Sequence, residues 1–197
     1  DRDGNIWICT YFDGIFKLDE ELRLQNFTME SHPEMLSDKI IYFYNDSRNK
    51  IWFGTVEGGL LNYEPETGHF KSYTVNDGLP NNTVYSISED ILGNIWMSTN
   101  KGIVSFNQVN RKFRTYNEHD GLIGNQFNYK SCFRNAEGML YFGAVNGLTF
   151  FNPIKLSVNN FQPNVHFTDF KLFNNSLRIG EADILKTHIN YQDKIKL

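Results

Sequence analysis

The sequence predicts an all-β protein, and three observations carry that reading. The first is composition: 17 Phe, 10 Tyr and 3 Trp stand against Ala at 136, 144 and 182 alone, an imbalance that favours strands over helices. The second is the abundance of Asn and Gly, the residues that tight turns require. The third is internal repetition. Asn5-Ile6-Trp7-Ile8-Cys9-Thr10 is followed by Lys50-Ile51-Trp52-Phe53-Gly54-Thr55, then Asn94-Ile95-Trp96-Met97-Ser98-Thr99, then Met139-Leu140-Tyr141-Phe142-Gly143-Ala144. The aromatic anchors recur about every 45 residues, the period of a propeller blade.

Each anchor is followed by a glycine and an aliphatic residue: Gly14-Ile15, Gly59-Leu60, Gly102-Ile103 and Gly147-Leu148. Turn clusters precede the anchors at Asp3-Gly4-Asn5, Arg48-Asn49-Lys50, Leu92-Gly93-Asn94 and Glu137-Gly138-Met139. One period therefore reads strand, turn, strand, glycine turn, strand, loop, strand. In the second period the strands fall at Ile40–Asn45, Ile51–Gly54, Leu60–Tyr63 and Phe70–Val75. In the third they fall at Val84–Glu89, Ile95–Ser98, Ile103–Asn107 and Phe113–Asn117. Four short antiparallel strands per period build a β-propeller blade. The first period opens at its second strand, so about three and a half blades are expected over residues 1–153. Trp7, Trp52, Trp96 and Tyr141 are expected as buried wedges between blades.

After Asn152-Pro153 the repeat fails. Val165–Phe173 alternates apolar and polar residues, so residues 154–197 read as a linker strand and the start of a second β module. The chain is expected to be part of a longer protein, with further blades elsewhere or a second copy covering the open blade faces.

Charge and motifs exclude several functions. A formal net charge of −4 and a pI near 5.7 argue against electrostatic binding of nucleic acid. No apolar run approaches the roughly 18–20 residues of a membrane span, so no direct membrane contact is expected of this segment. Cys9 and Cys132 lie in strand-like runs and read as buried free thiols. The histidines at 32, 69, 119, 166 and 188 lack metal-ligand spacing. Asp1-Arg2-Asp3-Gly4-Asn5 resembles a calcium loop, but its glycine comes early and Phe12 stands where the bidentate Glu belongs. No nucleophile elbow, phosphate loop or Cys-x-x-Cys pair appears, so neither cofactor, metal nor catalytic residue is expected.

One surface remains. Antiparallel alternation places the loops joining successive blades beside the turns between each blade's second and third strands. The first set contributes Asn81, Asn82, Asn125 and Gln126. The second contributes Tyr11, Phe12, Asp13, Glu57, Asn100, Lys101 and Asn146. Amides and carboxylates can hydrogen-bond sugar hydroxyls, and aromatic rings can cover a sugar's apolar face.

Gly78-Leu79-Pro80-Asn81-Asn82-Thr83-Val84-Tyr85-Ser86-Ile87 and Gly93–Ile103 resemble the two-component regulator propeller repeat. Gly121–Asn128, continued by Gly138–Pro153, is similar to that region's closing blade, and Pro163–Leu177 to the strand entering its Tyr-rich, immunoglobulin-like module. The pattern departs at Pro33–Ile40, where Glu34-Met35-Leu36-Ser37-Asp38 replaces Gly-Leu-Pro, and at Tyr141, where Trp is usual. The resemblance implies a periplasmic sensor region of a hybrid two-component system. Its parent would hold tandem propellers, a membrane span, a histidine kinase, a receiver and a DNA-binding tail, and its ligand would be an oligosaccharide. A propeller-fold polysaccharide lyase or hydrolase, or a protein-interaction scaffold, are the alternatives.

Overall fold

The computed structural model describes residues 1–156, 166–180, 184 and 186–191. Residues Asp1–Leu156 form one compact unit and Ser157–Leu197 a second. The first unit is a stack of antiparallel sheets in chain order. Blade 1 holds β1 (Ile6–Cys9), β2 (Ile15–Leu18) and β3 (Leu24–Phe27). Blade 2 holds β4 (Ile40–Asn45), β5 (Ile51–Thr55), β6 (Leu60–Glu64) and β7 (His69–Tyr73). Blade 3 holds β8 (Ser86–Glu89), β9 (Ile95–Thr99), β10 (Gly102–Asn107) and β11 (Lys112–Tyr116). Blade 4 holds β12 (Phe127–Arg134), β13 (Leu140–Ala144) and β14 (Gly147–Phe151). Among the described residues, blades 2 and 3 have four strands each, and blades 1 and 4 have three, without an inner and an outer strand respectively. Among the described residues the sheets do not close into a barrel.

The inner strands meet near a common axis. Tyr42 on β4 reaches Cys132 on β12, with Oη and Sγ 3.1 Å apart, and the Cys132 thiol donates to the Ile87 carbonyl on β8. The core is divided among the blade interfaces. Ile15, Phe27, Phe53, Leu61, Tyr63 and Phe70 join blades 1 and 2. Trp52, Leu60, Ile87, Met97, Val104 and Phe106 join blades 2 and 3. Trp96, Ile103, Leu140 and Phe142 join blades 3 and 4, with Leu156 packed against them, so the compact unit runs past Pro153.

The repeated anchor reaches across each interface to the aromatic four residues after the next blade's glycine. Ring centroids are 5.1 Å apart for Trp7 and Tyr63, 5.9 Å for Trp52 and Phe106, and 5.0 Å for Trp96 and Phe151. Trp52 and Trp96 are buried, and Trp7 and Tyr141 are partly buried. The reason is local. β1 has no strand on its inner side, and Tyr141 has no further blade among the described residues to pack against.

A second contact holds the anchors. The indole Nε1 of Trp7, Trp52 and Trp96 donates to the carboxylate six residues earlier, on Asp1, Asp46 and Asp90. The other oxygen of each Asp accepts two backbone N–H groups of the turn, as Asp90 Oδ1 does from Leu92 and Asn94 at 2.9 Å each. In blade 4 the same place is filled by Asn135, which accepts from Glu137 and Met139, and the anchor is Tyr141. The anchor change and the loss of the charged acceptor go together, because a phenol at this register offers no indole N–H.

Two strand limits differ from expectation by two residues, and the others by one at most. Strand β7 stops at Tyr73 rather than Val75, because Thr74 caps a 3-10 turn over Val75–Asp77 in a capping box with Asp77. Strand β8 starts at Ser86 rather than Val84. In the second unit, Val165 lies outside the described residues. Within the expected strand Val165–Phe173, only Lys171–Leu172 is strand among the described residues. It pairs with Asn175–Ser176 across a turn in which Phe173 and Asn174 both take positive φ, the geometry of a tight hairpin.

Candidate functional site

The face that carries the candidate residues is built by one repeated device. In blades 1 to 3 a threonine at or just past the end of the second strand donates to the carbonyl of a glycine at or just before the start of the third: Thr10 to Gly14, Thr55 to Gly59 and Thr99 to Gly102, at 2.7–2.9 Å. Each glycine N–H then donates to a loop joining that blade to the next: Gly14 to Asp38, Gly59 to Asn82 and Gly102 to Asn125, at 2.7–3.1 Å. The two sets of loops therefore lie side by side.

Between blades 3 and 4 they enclose a cavity of about 550 Å³. Five candidates line it: Asn100 and Lys101 from the turn of blade 3, Asn125 and Gln126 from the joining loop, and Asn146 from the turn of blade 4. Asn117, Glu118, His119 and Val145 complete the wall and were not singled out from sequence. The signal for the first three was present. Asn117-x-x-Asp120-Gly121 matches Thr74-x-x-Asp77-Gly78, and both strings form capping boxes ending in a left-handed glycine. Such a box ends the outer strand abruptly and turns the chain back over the loop face.

The other candidates do not join this cavity. Asn82 spends its amide oxygen on the Val75 N–H at 2.8 Å, and Asn81 on the Thr83 N–H at 2.8 Å, so both shape the joining loop. Glu57 is exposed and pairs with Lys39 at 3.3 Å. Tyr11, Phe12 and Asp13 lie exposed on the turn of blade 1, with the Tyr11 and Phe12 rings edge to face at 5.0 Å.

The chemistry of the cavity is dominated by amides. Asn125 Oδ1 accepts from the Glu118 N–H at 3.0 Å, and Asn117 Oδ1 from the His119 N–H at 2.8 Å. These bonds fix which half of each amide is committed to the loop. Lys101 lies within ion-pair distance of no carboxylate among the described residues.

Two further cavities of about 520 Å³ lie elsewhere in the first unit. One is among the strand turns around Arg48–Lys50 and Glu64–Thr67. The other is on the inner strands, against Trp7, Cys9, Tyr42 and Lys130. In the latter, burial pushes the Cys9 thiol up to about 12, with Lys130 pulling it down by less. Burial also raises the Tyr42 phenol, helped by its bond to Cys132. Neither group is ionised near neutral pH, so neither is an activated nucleophile there. No three His, Cys, Asp or Glu side chains cluster to hold a metal among the described residues. No helix among them is long and apolar enough to cross a membrane.

Comparison with known proteins meets this architecture at several points. Residues 78–101, which run from the glycine of the joining loop through β9 to the cavity residue Lys101, match the model of the two component regulator propeller family. The whole chain aligns at 34% identity with 18% of the length of histidine kinase P4 of Formosa agariphila. Among solved structures, the extracellular domain of a hybrid two component system of B. thetaiotaomicron, BT3049, superposes with a TM-score of 0.74 at 28% identity. That match covers 92% of this chain and 26% of that one. Virginiamycin B lyase of Staphylococcus aureus superposes with a TM-score of 0.60 at 16% identity, covering 79% of this chain and 54% of the lyase, a likeness of fold alone. This chain thus spans about a fifth of the curated relative and a quarter of the B. thetaiotaomicron domain. One copy of the repeat, over residues 78–101, thus matches the two component regulator propeller family, in a chain similar to the extracellular domain of a hybrid two-component system.

Proposed function

We propose that this chain is a non-catalytic segment of the periplasmic sensor region of a hybrid two-component system. In this reading it takes part in recognising an oligosaccharide and passes the event to a cytoplasmic histidine kinase. The observation that carries the reading is the superposition of nearly the whole chain on an extracellular domain of that kind, with its family repeat in blade 3. The loop face supports it. Lysine and a group of amides converge on one cavity large enough for a few sugar rings, with side chains suited to hydroxyl recognition. Remaining blades of the parent chain and a second copy of it are the partners in this reading. A saccharide then acts by favouring one arrangement of the two copies, and only by as much as it prefers that arrangement.

The test uses the full-length parent in membrane vesicles, with autophosphorylation of its kinase measured against a panel of plant, algal and host oligosaccharides. A rise with one saccharide class, abolished when the cavity loops are replaced, is the expected result. A kinase indifferent to every saccharide, or chemical turnover of any of them by the purified chain, would overturn it.

A further inference from the structure

The four turns between second and third strands occupy equivalent places on the loop face, yet they differ in charge. Blade 1 presents Asp13, blade 2 Glu57, blade 3 Lys101 and blade 4 Asn146. Lys101 is the only cation in this register. Its counterpart Glu57 is already paired with Lys39, whereas Lys101 is exposed and within ion-pair reach of no carboxylate among the described residues.

The wall around it is rich in donors. The amide oxygens of Asn117 and Asn125 are taken by backbone N–H groups, which leaves their Nδ2 groups as the available halves. Asn100, Gln126 and Asn146 add amide groups, and His119 adds an imidazole that always has an N–H to give. Against these stand the Glu118 carboxylate and the amide oxygens of Asn100, Gln126 and Asn146, so donors outnumber acceptors. A neutral sugar hydroxyl both gives and accepts, so it suits a balanced wall. A wall in which N–H donors outnumber acceptors, with one ammonium, suits a ligand rich in acceptors and carrying negative charge, which charge-assisted bonds hold about twice as strongly as neutral ones.

We propose that the cavity between blades 3 and 4 selects an acidic sugar, one bearing a carboxylate or sulfate, with Lys101 as the counter-charge and Asn125 and Asn146 among the donors. The proposal rests on the saccharide-sensing reading and narrows it to a ligand class.

Calorimetry on the 197-residue chain tests it with three probes: a galacturonic acid trisaccharide, a sulfated galactose trisaccharide, and the neutral galactose trisaccharide of the same linkage. The expected result is that one acidic probe binds at least roughly tenfold tighter than the neutral one, the scale of a hydrogen bond to a charged group. That preference should shrink as salt rises. Lys101→Gln should remove most of it and Lys101→Glu should reverse it, while Lys112→Ala, on the remote strand β11, should leave it intact. Circular dichroism confirms that each variant folds. Equal binding of acidic and neutral probes would overturn the ligand class and leave saccharide recognition standing. An acidic preference that survives Lys101→Glu would overturn the site. Absence of binding by all three would also overturn the proposal, while the sensor reading would still be judged separately by the kinase response of the parent.

Discussion

Blades 2 and 3 and blades 1 and 4 are built from the same repeat, yet the first pair is closed and the second pair open. Strand β5 is buried at every residue, as is β9, whereas β1 alternates between exposed and half-buried. On blade 4, Phe133 and Phe150 are 64% and 61% exposed, although they flank the anchor Tyr141 in register across β12, β13 and β14. The difference teaches that the repeat sequence specifies a sheet, and that neighbouring sheets convert it into a core. Blade stability here is a nearest-neighbour property.

The sharpest way to break that comparison is to remove the anchors one at a time. Trp52 is 1% exposed and packs on both Tyr73 and Phe106, so Trp52→Ala is expected to cost about 3–5 kcal/mol. Trp7 makes comparable ring contacts but is half-buried, so part of its transfer energy is never gained, and Trp7→Ala is expected to cost about 1–3 kcal/mol. Urea denaturation of both variants decides the matter. Equal losses would mean that burial at this register does not depend on the neighbouring sheets.

Much of this was legible because the repeat supplies internal controls. Four copies of one register locate the strands, the glycines and the anchors, since chance does not align them. The Asp-to-indole contact was legible too, as Asp1, Asp46 and Asp90 stand six residues before a Trp and Asn135 six before a Tyr. The site was less so. Asn82 and Asn125 are the same residue at the same register, and in both the backbone carbonyl accepts from the glycine of the neighbouring turn and Oδ1 from a backbone N–H of the capping turn. Yet Asn125 lines the cavity and Asn82 does not, because a cavity depends on what neighbouring loops leave unfilled. Spacing along a chain carries no information about that volume.

A second, smaller effect separates the blades at their glycines. Gly59 has φ +83°, and a methyl group there would lie 2.0 Å from the Tyr73 carbonyl oxygen; at Gly102 the same group would lie 2.1 Å from that of Tyr116. Both carbonyls belong to the last residue of the outer strand, which is backbone and cannot yield. Blade 4 has no outer strand among the described residues, and at Gly147 the nearest atom is the flexible end of the Ile123 side chain, 2.9 Å away. Gly59→Ala is therefore expected to cost about 3 kcal/mol or more, combining the left-handed penalty with the clash. Gly147→Ala, at φ +145°, should cost only the conformational part, about 1–2 kcal/mol. Thermal denaturation compares the two, and a Gly147→Ala loss as large as that of Gly59→Ala would count against the role given to the outer strand.

The smallest effect tests why the fourth anchor departs from the other three. If Asp at the turn is matched to the indole N–H, then converting blade 4 to the pattern of blade 3 must be done at both positions to gain anything. Tyr141→Trp alone brings an indole to Asn135, whose Oδ1 already accepts two backbone N–H groups. Asn135→Asp alone keeps those bonds and adds a charge without a partner. Together they supply the donor and the free carboxylate oxygen that Trp96 and Asp90 join at 2.8 Å. Blade 4 is open beside Tyr141, so solvent competes for the new bond and the coupling should be modest, about 0.5–1.5 kcal/mol in a double-mutant cycle. The same cycle run in reverse on blade 3, with Trp96→Tyr and Asp90→Asn, lies in a closed interface where Trp96 is 3% exposed and should give the larger coupling. Coupling near zero in both blades would mean that the paired change at Asn135 and Tyr141 is incidental. A larger value in blade 4 than in blade 3 would contradict the ordering of open and closed interfaces on which the comparison rests.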